Sequence, residues 1–104
     1  VARSTDAPPP VAAGPRLLPN HPNPFNPSTT IPFVLDRGAT VRLTVHDVSG
    51  RRIRTLAEAA YGPGRHAVTW KGRDEAGRPV TSGVYYYRLA TGDTVLGGKM
   101  VLTR

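Results

Sequence analysis

This sequence predicts an all-β fold, an antiparallel β-sandwich of about seven short strands. Three observations point there. Apolar and polar residues alternate over short runs, glycine- or proline-bearing turns recur about every ten residues, and no segment carries a sustained helical period. The strongest strand signal is Ser82-Gly83-Val84-Tyr85-Tyr86-Tyr87-Arg88-Leu89, where aromatic and β-branched residues run together. Alternation puts Tyr85, Tyr87 and Leu89 on one face of that strand and Val84, Tyr86 and Arg88 on the other.

In chain order, residues 1–16 are a different material from the rest. Pro8-Pro9-Pro10 imposes polyproline II geometry and removes three backbone donors, which bars this stretch from the centre of a sheet. Its composition suits a flexible linker, or an extended arm reaching about 50 Å at ~3.3 Å per residue, enough to cross onto a neighbouring subunit. The domain proper is expected over residues 17–104. It opens with a stiff, irregular entry through Pro19, Pro22, Pro24 and Pro27, in which each proline steers its predecessor away from helix. Phe25 is the one large apolar group in the middle of that entry, and it is expected to plug an end of the core.

Strands follow at short intervals. Thr30–Leu35 turns Ile31, Phe33 and Leu35 inward and Pro32 outward, which suggests an edge strand. Val41, Leu43 and Val45 alternate with Arg42, Thr44 and His46, and Asp47-Val48-Ser49-Gly50 turns the chain. From Arg51 to Ala59 the pattern is ambiguous. Ile53 and Leu56 are three apart, so the segment is a helical turn or, preferably, a strand with a bulge. Gly62-Pro63-Gly64 is a turn, and the next strand points His66, Val68 and Trp70 inward. After a loop over residues 72–79 and the tyrosine strand, Gly92-Asp93 makes a hairpin into the last strand, where Gly97-Gly98 suggests a bulge or kink. Strands of this number and spacing make the sandwich one of immunoglobulin type, without the Cys…Trp…Cys pattern of antibody domains.

The totals exclude several classes. A chain of 104 residues makes one small domain, and no apolar run is long enough to be a membrane-spanning helix, so membrane insertion is not expected. With no cysteine there is neither a disulfide framework nor a thiolate metal site. Beginning at Val1 rather than Met, the sequence reads as a processed protein or an excised fragment. The formal charge of +7 is mostly arginine, and along the chain the arginines are scattered, Arg51-Arg52-Ile53-Arg54 being the one cluster. A nucleic-acid binder would show a basic stripe with interleaved aromatics or a recognition helix, so nucleic acid is not expected as a partner.

The run from Leu18 to Ile31 (LPNHPNPFNPSTTI) resembles the opening of the type IX secretion C-terminal sorting domains. So do Val45–Ile53, Gly64–Trp70, Gly72–Gly77, Ser82–Leu89 and Lys99–Leu102, and the same pattern is similar to the immunoglobulin-like domain of the flagellar hook-capping protein. The resemblance covers residues 17–104 almost without a gap. It implies a non-enzymatic β-sandwich exported across a bacterial outer membrane or acting at the cell surface, with the outer-membrane secretion machinery as a partner. In the sorting family the module ends a larger cargo and is often removed once read. Here only a proline-rich stretch precedes it, so either a cargo was cut away or the module itself is the product, a structural subunit.

Candidate chemistry is sparse. His21, His46 and His66 have no carboxylate or second histidine at ligand spacing, and Asp74 and Glu75 suit a turn better than a calcium site, although Asp74 with Asp47 or Asp93 is a conceivable oxygen cluster. Ser28, Ser49 and Ser82 lie in turns with no histidine beside them, so no catalytic residue and no cofactor is expected. The binding candidates are Tyr85, Tyr86 and Tyr87, as an aromatic platform on whichever face is exposed, together with Pro8, Pro9, Pro10 and Val11 of the arm and Arg16, Leu17 and Leu18 at its junction. The leading expectation is a self-assembling homo-oligomer or polymer whose residues 1–16 reach the next subunit, with strand addition around Arg16-Leu17-Leu18. The alternatives are a sorting and anchoring domain released from a cargo, and a carbohydrate-binding module using exposed tyrosines.

Overall fold

The computed structural model describes residues 14–104. Within them seven strands form two antiparallel sheets: β1 (Arg16–Leu17), β2 (Thr29–Leu35), β3 (Ala39–His46), β4 (Arg52–Tyr61), β5 (Gly64–Trp70), β6 (Gly83–Thr91) and β7 (Thr94–Leu102). One sheet has the order β1-β2-β5, the other β4-β3-β6-β7. No helix among the described residues is long and apolar enough to cross a membrane. The expected β-sandwich is therefore the observed one.

Alternation builds the core. Ile31, Phe33 and Leu35 of β2 face Val41, Leu43 and Val45 of β3 and Tyr85, Tyr87 and Leu89 of β6, and all are buried. Phe25 and Trp70 close one end, their rings 5.7 Å apart, and Trp70 in turn meets Tyr85 edge-on at 5.2 Å. Phe25 thus plugs the core as expected. At the β4–β5 side, Phe33, Tyr61 and His66 pack as a trio with centroids 4.9–5.4 Å apart.

The ambiguous segment is a strand with two bulges. Against β3, Leu43 pairs with Ala57 but Thr44 with Thr55, and Val45 pairs with Arg54 but His46 with Arg52. Each step leaves one residue of β4 unpaired, first Leu56 and then Ile53. These two bulges produce the three-residue spacing that mimics a helical turn in the sequence.

Two expectations fail. Pro32 does not mark an edge: β2 is the central strand of its sheet and Pro32 is buried. Its carbonyl accepts from the Leu18 N–H at 3.0 Å, so its ring nitrogen faces β1 and not the β2–β5 ladder. The missing donor leaves the Leu18 carbonyl without its ladder partner, and the Tyr87 hydroxyl donates to it instead at 3.2 Å, while the Asn20 N–H donates to the same phenol at 3.2 Å. Gly97-Gly98 is likewise no bulge, because the β6–β7 register runs unbroken from Gly83–Leu102 to Thr91–Thr94. Gly98 stands opposite Tyr87, and a Cβ there would fall on the Tyr87 ring, with Cε1 at 2.9 Å and the phenol end closer still. The glycine lets the ring lie across β7 and reach the β1–β2 side, tying the two sheets together.

Candidate functional site

Open sheet edges, exposed apolar side chains and charged faces are what a module without evident reactive groups has to work with. Among the described residues no group of three or more histidine, aspartate and glutamate side chains is placed to hold a metal. Two of the three histidines have side-chain partners within the domain. His46 Nδ1 lies 3.2 Å from the Gly50 carbonyl with Nε2 2.9 Å from the Thr44 hydroxyl, and His66 Nε2 is 2.7 Å from the Gly62 carbonyl.

Asp47 and Asp74, two of the three aspartates that the sequence left open as an oxygen cluster, serve two copies of one turn, Asp47-Val48-Ser49-Gly50-Arg51 and Asp74-Glu75-Ala76-Gly77-Arg78. In each, the aspartate N–H donates to the arginine carbonyl, the glycine N–H donates back to the aspartate carbonyl, and Oδ1 accepts from the backbone two and four residues on. The arginine Nε then sits 3.4 or 3.5 Å from Oδ2. The Ser49 hydroxyl, chiefly, with the Ser49 and Arg51 N–H groups and the Arg51 charge, holds the Asp47 carboxyl below its ordinary value. For Asp74 the Arg78 N–H leads, followed by the Arg78 charge and the Ala76 N–H.

A carboxyl depressed on folding adds stability above its unfolded pKa of about 3.9, and that stability is lost as pH falls through the lower folded value. The urea midpoint is therefore expected to hold between about pH 7 and pH 5 and to drop below about pH 4. In an Asp47→Asn, Asp74→Asn double variant it should start lower and show a shallower acid limb. An unchanged acid limb would remove these two turns as its cause.

The tyrosines divide as alternation requires. Tyr85 and Tyr87 are buried in the core, the Tyr85 hydroxyl donating to the Thr81 carbonyl at 2.7 Å, while Tyr86 is 43% exposed on the outer face of the four-stranded sheet. Burial raises the Tyr87 pKa, a shift opposed by the hydrogen bond from Asn20. The three tyrosines therefore form no common platform, and Tyr86 alone is presented to solvent. At the junction Arg16 is exposed, whereas Leu17 is half-buried against the core and Arg16 and Leu17 pair with Val34 and Phe33 of their own chain. Pro8, Pro9, Pro10 and Val11 lie outside the described residues.

The sheet edges are treated unequally. At β4 the Glu75 N–H donates to the Ile53 carbonyl and the Thr55 N–H to the Glu75 carboxylate, so the loop over residues 72–79 occupies this edge beside the bulges. At β7, Phe25 takes the outward groups near the C-terminal end: its N–H donates to the Val101 carbonyl, its carbonyl accepts from the Thr103 N–H, and Asn23 Oδ1 accepts from the Val101 N–H. With a period of two, the backbone groups of Val95, Gly97 and Lys99 point the same way as those of Val101. No hydrogen bond to them occurs among the described residues beyond the ladder with β6. This open stretch of edge is not legible in the sequence, where the paired glycines suggest a bulge or kink.

Residues 25–94 match the family model of the FlgD Ig-like domain, and the chain belongs to that family. No curated protein matches it in sequence. Among solved structures, dimeric latent PorU from Porphyromonas gingivalis shares the fold with a TM-score of 0.72 at 20% identity, over 85% of this chain and 9% of PorU. PorZ, an essential bacterial surface component of the type IX secretion system of the same organism, matches with a TM-score of 0.56 at 21% identity over 85% of this chain and 11% of PorZ. The Pseudomonas fluorescens alkylpurine DNA glycosylase AlkC, bound to DNA, gives 0.56 at 14% identity over 88% of this chain and 31% of that one. In each case the chain corresponds to a minor part of a longer protein.

Proposed function

We propose that this chain is an extracellular, non-catalytic immunoglobulin-like module that acts by protein–protein contact, with an extended segment of its partner added along β7. The observation that carries the reading is the open backbone from Val95 to Lys99, next to a stretch of the same edge where residues 23–25 of the chain already bond. In the self-assembling form the added segment is the N-terminal arm of another copy. Gly14 and Pro15 line the same cleft as Thr91–Thr94 of the β6–β7 hairpin, at the end of this edge where β7 begins. A contact between one copy's arm and the next copy's edge does not close on itself and gives a filament. The second reading is a sorting and anchoring domain of a larger exported protein, met by the secretion machinery. It is favoured by the small share of PorU and PorZ that the chain spans, 9% and 11%.

Negative-stain microscopy with size-exclusion chromatography separates the two. The full chain is expected to form filaments, and a form lacking residues 1–13 is expected to be monomeric. So is Val95→Pro, which deletes one outward N–H and leaves the β6–β7 ladder intact. A monomeric full chain would reject self-assembly and leave the sorting-domain reading.

A further inference from the structure

Arginines that are scattered in the sequence meet on the outer face of the four-stranded sheet. The registers lay that face out in rows across β4, β3, β6 and β7. One row reads Arg52, His46, Tyr86, Lys99, the next Thr55, Thr44, Arg88, Gly97, and the third Glu58, Arg42, Ala90, Val95. Glu58 is the single carboxylate in these rows and lies 3.8 Å from Arg42. Arg52, Arg88 and Lys99 are exposed and take part in none of the ion pairs among the described residues. The one linear cluster is meanwhile dispersed, with Arg51 held by Asp47 and Arg54 donating to the Asp74 carbonyl.

We propose that this face binds an acidic polysaccharide, whose carboxylates pair with Arg52, Arg88 and Lys99 while one sugar ring lies on Tyr86. Arginine takes a carboxylate through two parallel N–H bonds, and Lys99 supplies a point charge at the far end of the row. With strands about 4.8 Å apart, Arg52 and Lys99 stand roughly 14 Å from one another. That span suits successive charges on an extended polymer better than a single small anion. Tyr86 lies between them, and its electron-rich ring face meets the slightly positive C–H face of a pyranose. Gly97, opposite Arg88, leaves a shallow groove of about 460 Å³ lined by Tyr86, Arg88, Gly97 and Lys99.

Two other occupants fit less well. Among the described residues a second copy offers no acidic patch: Asp36, Asp47, Glu58 and Asp74 are each paired with an arginine of their own chain, Glu75 is bonded to Thr55, and Asp93 is a lone exposed carboxylate in the β6–β7 turn. A single-stranded nucleic acid needs a succession of stacking aromatics, where this face has one, and a duplex is read by an element that enters its groove, which a flat sheet does not. The proposal does not depend on the N-terminal arm or the β7 edge contact.

The test is calorimetric titration of the intact chain with polygalacturonate, with dextran and a 20-base-pair DNA duplex as comparison polymers. Saturable binding of polygalacturonate is expected, weakening at least about tenfold between low and high salt, with no binding of dextran. Arg88→Glu and Lys99→Glu are each expected to weaken it by about tenfold or more, and Tyr86→Ala several-fold. Arg65→Glu, an exposed site on the other sheet, should change it less than about twofold. Arg88→Gln and Lys99→Gln give the same comparison if a reversed charge disturbs the fold. Absence of polygalacturonate binding, an equal loss in Arg65→Glu, or tighter binding of the DNA duplex would each overturn the proposal, the last by giving the face to nucleic acid.

Discussion

Trp70→Ala is expected to destabilise the domain by about 3–5 kcal/mol, the range for deleting a buried aromatic that its surroundings cannot replace. Trp70 is 1% exposed, sits between the rings of Phe25 and Tyr85, and donates its indole N–H to the Arg73 carbonyl at 2.9 Å. Removing it opens a cavity at the end of the sandwich and leaves a carbonyl of the 72–79 loop without its donor. Domains of this size are stable by about 5–15 kcal/mol, so the loss takes a large part of the total. Thermal unfolding followed by far-ultraviolet circular dichroism should show the midpoint falling by about 15 °C or more. Trp70→Phe keeps most of the volume and should fall markedly less. Equal losses in the two variants would mean that the indole hydrogen bond, and not the packing, dominates.

Gly98→Ala is expected to cost about 3 kcal/mol, far more than one added methyl group usually does in a strand. Tyr87 is the reason. Its ring occupies the space of the new Cβ, and its hydroxyl is fixed by the Leu18 carbonyl and the Asn20 N–H, so the side chain cannot swing aside without breaking both bonds. A double-mutant cycle with Tyr87→Leu tests this directly. In that background Gly98→Ala should cost under about 1 kcal/mol, a coupling well above the measurable threshold. If Gly98→Ala cost the same with tyrosine or leucine at position 87, strain in β7 itself would be responsible and the packing account would be wrong.

What the sequence makes legible follows from how local each interaction is. Ile31, Phe33, Val41, Leu43, Val45 and the inward tyrosines are readable because a period of two is a property of a few adjacent residues. The turns at Asp47–Arg51 and Gly92-Asp93 are readable for the same reason. Pro32 and Gly98 mislead because each is explained by a residue on another strand. Pro32 sits in a central strand because Tyr87, 55 positions later, takes the carbonyl that the proline leaves free. Gly98 is a glycine because of the same ring and not because of its own backbone. The charged face is hidden for a further reason. Arg42, Arg52, Arg88 and Lys99 belong to four strands, and only the order β4-β3-β6-β7 puts them side by side.

The bonds that join residues 23–25 to residues 101–103 span up to 78 positions. A polypeptide emerging from its N-terminal side has no means of forming them until residues 101–103 are free. Until then Phe25 lacks its seat beside Val101 and Thr103, and β7 has no cover along its C-terminal half. Closing so long a loop is entropically unfavourable and is compensated only when the distant pairing forms, which makes the ends of the chain late participants in folding. The last strand acts as a latch. The sandwich is sealed at this end only once residues 101–103 have met residues 23–25.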